Sequence, residues 1–174
     1  MEIENQSKTR KSLELIICIM AKKTLFKLEF DSPFKVMGIF CQEKDYRFAW
    51  ILNTQLHFGF KKVKDFEFYL PKQSTPSVHS VYSFEHAKMN RTFFLISNWS
   101  LHGNRLFDKP PAPDYIFLVK ADAFRFDFSQ MLKKIRGLKQ VTAAYLLDDI
   151  LGKKKDGFLY DFEFFLTHDL KMNL

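Results

Sequence analysis

From residue 24 onward the apolar positions recur in one of two rhythms, and each change of rhythm marks an element. Residues 24–30 set Phe26, Leu28 and Phe30 against Lys27 and Glu29, the period-two pattern of a half-buried strand. Asp31-Ser32-Pro33 turns the chain. Residues 34–41 are apolar on both parities, which predicts a second, well-buried strand. Residues 44–57 switch to helical spacing, with Tyr46, Ala49, Trp50, Asn53 and Leu56 on a stripe widened by Phe48, Ile51 and Leu52. Strands are expected over 63–70, 79–86 and 91–98, the last two joined as a hairpin through Ala87-Lys88-Met89-Asn90. Residues 115–119, apolar on both faces, predict a central strand. A second helix carries Phe128, Met131, Leu132, Ile135 and Leu138 on one face, and Asp127 with Gln130 resembles a capping box at its start. Strands over 141–147 and 158–166 complete the chain, the second because Phe158, Tyr160, Phe162 and Phe164 recur every two residues. The order β-β-α-β-β-β-β-α-β-β predicts an α+β fold: one domain with a mainly antiparallel sheet and two helices packed on a face.

Composition supports a large aromatic core. Phenylalanine supplies 21 of the 174 residues, and apolar content of 47% with 27% charged residues is that of a folded globular chain. Cys18 and Cys41 cannot form a disulfide framework and no CxxC pair occurs, so a reducing cytoplasm is the expected setting. No apolar run approaches the roughly 18 residues of a membrane span, and no membrane partner is expected. Residues 15–20 follow the basic Lys8-Thr9-Arg10-Lys11 as in a signal peptide, yet the apolar run is short and no small-residue cleavage site follows. Met20-Ala21-Lys22-Lys23 resembles a bacterial start. Residues 1–19 are therefore expected to be an N-terminal extension and 20–174 the domain.

The net charge of +7 is unevenly spread. Residues 120–140 hold Lys120, Arg125, Lys133, Lys134, Arg136 and Lys139 against Asp122 and Asp127. Such a cluster suits an acidic partner, RNA or an acidic protein, with Lys133, Lys134, Arg136 and Lys139 as the candidate contacts. The same cations also favourably oppose a helix dipole on a merely solvated surface. A second candidate surface is the 98–113 connection, too long for an ordinary link, with Trp99, His102, Asn104 and Arg105 ahead of Pro110-Pro111-Ala112-Pro113. It serves either as a protein-interaction loop or as a flap folded on the domain, with Trp99 expected buried and Arg105 exposed.

Motifs for catalysis are missing from the sequence. It has no G-x-S-x-G elbow, and its six glycines are scattered singly, so no phosphate-cradling loop forms. His79 and His86 have opposite parity on one strand and cannot share a metal ion. Neither a cofactor nor an enzymatic activity is expected, and a binding or adaptor module is.

Several segments together carry a family resemblance: Lys44-Asp45-Tyr46-Arg47 with Trp50 and Leu52-Asn53, Leu95-Ile96-Ser97-Asn98, Asp114-Tyr115, and Ala144-Tyr145-Leu146. Over residues 20–150 the chain resembles the bacterial IPExxxVDY family. The eponymous segment departs from the pattern: Phe107, Asp108 and Lys109 replace Ile, Pro and Glu, and Pro113 replaces Val ahead of Asp114-Tyr115. The resemblance implies no assigned activity, cofactor or catalytic residue.

Overall fold

The computed structural model describes residues 34–69, 75–108, 110, 112–120, 126–147 and 153–172, all within one compact unit, residues 32–174. The extension over 1–19 and the strand expected over 24–30 lie outside them. The described elements are β1 (Phe34–Phe40), α1 (Asp45–Leu56), β2 (Lys61–Lys62), β3 (Phe66–Phe68), β4 (Ser77–His86), a 3-10 turn (Ala87–Met89), β5 (Arg91–Ser100), β6 (Tyr115–Lys120), α2 (Phe128–Arg136), β7 (Ala143–Leu146) and α3 (Lys153–His168). The seven strands form one sheet in the order β2-β4-β5-β6-β1-β7, with β3 also paired to β4. Every pairing is antiparallel.

The sheet is buried on both faces, and parity along the strands sorts the core. Met37 and Ile39, Phe93 and Leu95, and Tyr115, Phe117 and Val119 meet α1 and α2 on one face. Phe34 and Val36, Phe94 and Ile96, and Ile116 and Leu118 meet α3 on the other. β6 lies between β5 and β1 with Tyr115 to Val119 all buried, the central strand its composition predicted. The two expected helices do share a face.

One element is corrected. Residues 158–166 belong to a helix and not to a strand. Phe158, Leu159, Phe162, Phe165 and Leu166 are buried while Tyr160 and Phe164 are 68% and 54% exposed, a helical stripe that the period-two set Phe158, Tyr160, Phe162 and Phe164 conceals. The strand expected over 63–70 is shorter among the described residues, confined to Phe66–Phe68 with β2 ahead of it. Lys62 opposes Tyr82 and Phe66 opposes His79, so four steps along one strand match three along its partner, and the chain kinks between β2 and β3.

Local chemistry explains the element ends. Asp127 accepts the Gln130 N–H at 3.0 Å as the N-cap of α2, as its spacing predicted. His57 at φ 57° closes α1. In β1, a Cβ at Gly38 would stand 3.0 Å from the Pro113 ring, so the glycine lets the end of the 98–113 connection seat against the strand. Among the described residues no helix is long and apolar enough to cross a membrane.

Candidate functional site

The 98–113 connection begins at a bulge. Ile96 opposes Val81 but Ser100 opposes His79, so residues 97–99 of β5 stand against Ser80 alone. The fully buried His79 ring fills the bulge, with Nδ1 3.0 Å from the Ser97 carbonyl and Nε2 2.8 Å from the Ser77 hydroxyl. A carbonyl only accepts, so Nδ1 carries a proton, while the Ser77 hydroxyl lies between Nε2 and the Phe68 carbonyl, 3.2 Å from the latter. Burial pushes the pKa of the ring down to about 4 from the ordinary 6.5, which favours the neutral imidazole near pH 7. As pH falls from 6.5 toward 4, the unfolded chain takes up a proton at His79 that the folded chain refuses. Stability should accordingly drop through that window, by roughly 3 kcal/mol for this one site. Urea unfolding of wild type and His79→Gln at neutral and mildly acidic pH checks this; equal pH sensitivity of the two proteins would remove His79 as the cause.

Within the bulge the Asn98 side chain joins both legs of the connection, alongside the backbone bonds from Asn98 N–H to the Asp114 carbonyl (2.9 Å) and from Leu106 N–H to the Asn98 carbonyl (3.1 Å). The buried Asn98 side chain donates from Nδ2 to the carbonyls of Phe107 (3.0 Å) and Pro113 (2.7 Å), while Oδ1 accepts the Phe107 N–H at 2.8 Å. At the tip the Ser100 hydroxyl accepts the N–H groups of His102 (3.2 Å) and Asn104 (2.9 Å), and Gly103 supplies φ 82°. Leu106 and Phe107 are buried, with the Phe107 ring centred 5.1 Å from that of Phe158. Trp99 and Arg105 face each other across the excursion, the guanidinium 3.7 Å from the indole centroid. The indole Nε1 donates to Asp114 Oδ1 at 3.3 Å, and Asp114 Oδ2 accepts the Cys41 N–H at 3.0 Å. Trp99 is 42% exposed, which corrects the expectation that it is a core anchor; Phe107 has that role. Arg105, expected exposed, is half-buried, with Nε shielded from solvent. The bulge is the physical reason, because it tips Trp99 off the sheet toward water. Leu101 beside it is 79% exposed.

The basic helix divides its cations. Lys133, Lys134, Arg136 and Lys139 are all exposed, while Ile135 and Leu138 anchor the segment in the core. Arg136 donates from Nε to the Ala144 carbonyl at 2.7 Å and ties α2 to β7. Lys134, one residue and about 100° of helix rotation away from Lys133, turns toward a groove between α2 and α1. The four cations therefore do not form one flat face. α2 runs from the β6 C-terminus back to the start of β7, so Lys139 and the Trp99–Arg105 pair lie at the same end of the sheet, on opposite sides of β6 and β1.

That groove, of about 400 Å³, opens at the other end of the sheet. Its wall is aromatic: Phe58, Phe84, Phe93 and Phe126 line it, with the Phe84 and Phe93 rings stacked at 5.8 Å and Phe126 edge-on to Phe93 at 5.9 Å. Its rim is basic, with His57, His86, Arg91 and Lys134; the one acid lining it, Asp127, is occupied as the cap of α2. The Arg91 guanidinium sits 5.0 Å over the Phe126 ring. A second cavity of about 310 Å³ between β3 and α3 is lined by Asp65, Glu67, Asp161 and Asp169 with Lys64. Lys64 pairs with Asp169 there. Cys41, just past the end of β1, is buried, and burial pushes its thiol pKa up, away from a nucleophilic thiolate. No group of three or more His, Cys, Asp or Glu able to hold a metal ion occurs among the described residues.

Comparison of the chain with family models, with curated proteins and with solved structures finds no match.

Sequence patterns pointed to the loop and the basic helix but missed the groove and the role of Asn98. The groove joins residues 56–58, 84–93 and 126–134, which no spacing connects. Asn98 differs: a lone amide ending an apolar strand, ahead of a long connection, is a signal that could have been used.

Proposed function

We propose that this protein is a non-catalytic cytoplasmic binding module for an acidic partner, RNA in the first place. The observation that carries the reading is a set of uncommitted cations: Lys133, Lys134 and Lys139 are exposed and form no ion pair with a described residue. Charges kept in water without a partner cost nothing in the free protein and gain a large return from phosphate through counterion release. Arg136 is set aside as a contact because its Nε already serves the fold.

Retention of single-stranded RNA by wild-type protein should be firm at about 50 mM salt and fall roughly twentyfold by about 200 mM, the slope of three phosphate contacts. Lys133→Gln/Lys134→Gln/Lys139→Gln should abolish it with the melting temperature unchanged. An absence of retention at the low salt concentration overturns the RNA reading.

The Trp99–Arg105 pair and Leu101 favour a second reading, a protein-interaction tip. Trp and Arg are residue types enriched among the anchors of interfaces, and here an exposed Trp carries an Arg over its ring. Pull-down with and without nuclease separates the two. A partner that survives nuclease and is lost with Arg105→Ala belongs to the tip; one lost on nuclease treatment belongs to the cations.

A further inference from the structure

We infer that the outer edge of β7 is a latent pairing surface for a second copy of this chain, and that Arg136 keeps it closed. β7 lies at one end of the strand order, and β1 is its only strand partner among the described residues. The Leu147 N–H donates to the Val36 carbonyl directly opposite at 2.9 Å, so every second residue back along β7 turns its backbone groups toward β1. Tyr145, opposite Gly38, is one of these. The alternate residues Ala144 and Leu146 therefore direct their N–H and C=O groups away from β1, to the outside of the sheet. A row of such groups is a template for another strand.

The two ends of the sheet are protected differently. At the far end the chain beside β4 is broken into β2 and β3, of two and three residues, with Lys61 and Lys62 exposed. Short, kinked, lysine-bearing strands are poor templates. β7 is continuous and uncharged. The run Val141-Thr142-Ala143-Ala144-Tyr145-Leu146-Leu147 holds no charge, no proline and no glycine, the composition of a segment that pairs with its own copies. Its protection comes from α2. Arg136 Nε donates to the Ala144 carbonyl at 2.7 Å, an outward acceptor in the middle of the run. A strand adding to β7 needs that carbonyl and has to displace a charged side chain to reach it.

The flanks of the run select the occupant. Lys139 precedes it and Asp148-Asp149 follow it in the sequence. An antiparallel second copy centred on Ala144 exchanges two backbone bonds between the two Ala144 residues. It also sets the basic end of each run against the acidic end of the other, so the edge is complementary to itself. Neither RNA nor any other acidic partner is needed for this pairing.

Sedimentation equilibrium of the full chain, wild type against Arg136→Ala over a wide range of concentration, tests the guard, with hydrogen exchange at the Leu146 amide measured alongside. Wild type should keep the mass of one chain, while the mass of Arg136→Ala should double as concentration rises. Exchange at Leu146 should slow roughly tenfold or more in the associated variant, because its outward N–H gains a partner. Destabilisation through the lost tie between α2 and β7 would instead speed that exchange. Arg136→Ala/Leu146→Pro should return to the mass of one chain, since proline removes an outward N–H that β1 does not use. Should Arg136→Ala fail to fold, Arg136→Gln, neutral and shorter but still polar, carries the same comparison. The guard is overturned if wild type and variant have equal mass at every concentration, if association comes with faster exchange at Leu146, or if the double variant still associates.

Discussion

Phe162→Ala should cost about 3–5 kcal/mol, the range for emptying a fully enclosed aromatic site, while Tyr160→Ala two residues earlier should stay within about 0.5 kcal/mol. Phe162 is completely buried and sits at the hub of the α3 face of the core. Its ring lies 5.3 Å from Phe94, 5.5 Å from Phe66, 5.7 Å from Phe165, 5.9 Å from Phe158 and 6.3 Å from Phe34, so removing it unsupports five neighbours together. Ring pairs of this kind add to the loss beyond area alone. Tyr160 is 68% exposed and has little packing to lose. The contrast is diagnostic, because a strand through these residues would place 160 and 162 on one face and make the two substitutions comparable. Chemical denaturation of both variants decides it, and equal destabilisation would rule out α3 as described.

The same residues show why part of the fold was legible and part was not. Strands buried on both faces announce themselves, as at Tyr115 to Val119, because each parity is apolar and no helix of that length fits between the flanking turns. α2 was legible for a different reason: one apolar stripe, one capping Asp and one basic last turn agree with each other. Around Phe158 to Leu166 the phenylalanines are so dense that both periods are satisfied, and only the pairing partners, absent for a helix, break the tie. Trp99 was misplaced because its direction depends on a bulge, and a bulge is a property of two strands in register rather than of either alone. The loop as a candidate surface came from length and composition, which are local. The groove came from three distant segments and needed the sheet order first.

Asn98→Ala should cost roughly 3–5 kcal/mol, since it strands three buried backbone groups at about 1–3 kcal/mol each less whatever water recovers. Those groups are the Phe107 N–H, the Phe107 carbonyl and the Pro113 carbonyl, and the loss would fall on both legs of the excursion together. Asn98→Asp should be no better. It keeps the acceptor for Phe107 N–H but sets a buried carboxylate against two carbonyls. With the legs loosened, the Trp99 indole would part from Arg105 and from Asp114, so in a Trp50→Phe background the emission of Trp99 should shift to the red. Denaturation and fluorescence together separate the causes. A variant that stays within about 1 kcal/mol of wild type with unaltered Trp99 emission would show that Ser100 and the backbone bonds of residues 98, 100 and 106 hold the tip without the Asn98 amide. If the expected loss is found, the tip is rigid before any partner arrives, and ordering it adds no cost to binding. That is the property an interaction surface built on an exposed Trp–Arg pair requires.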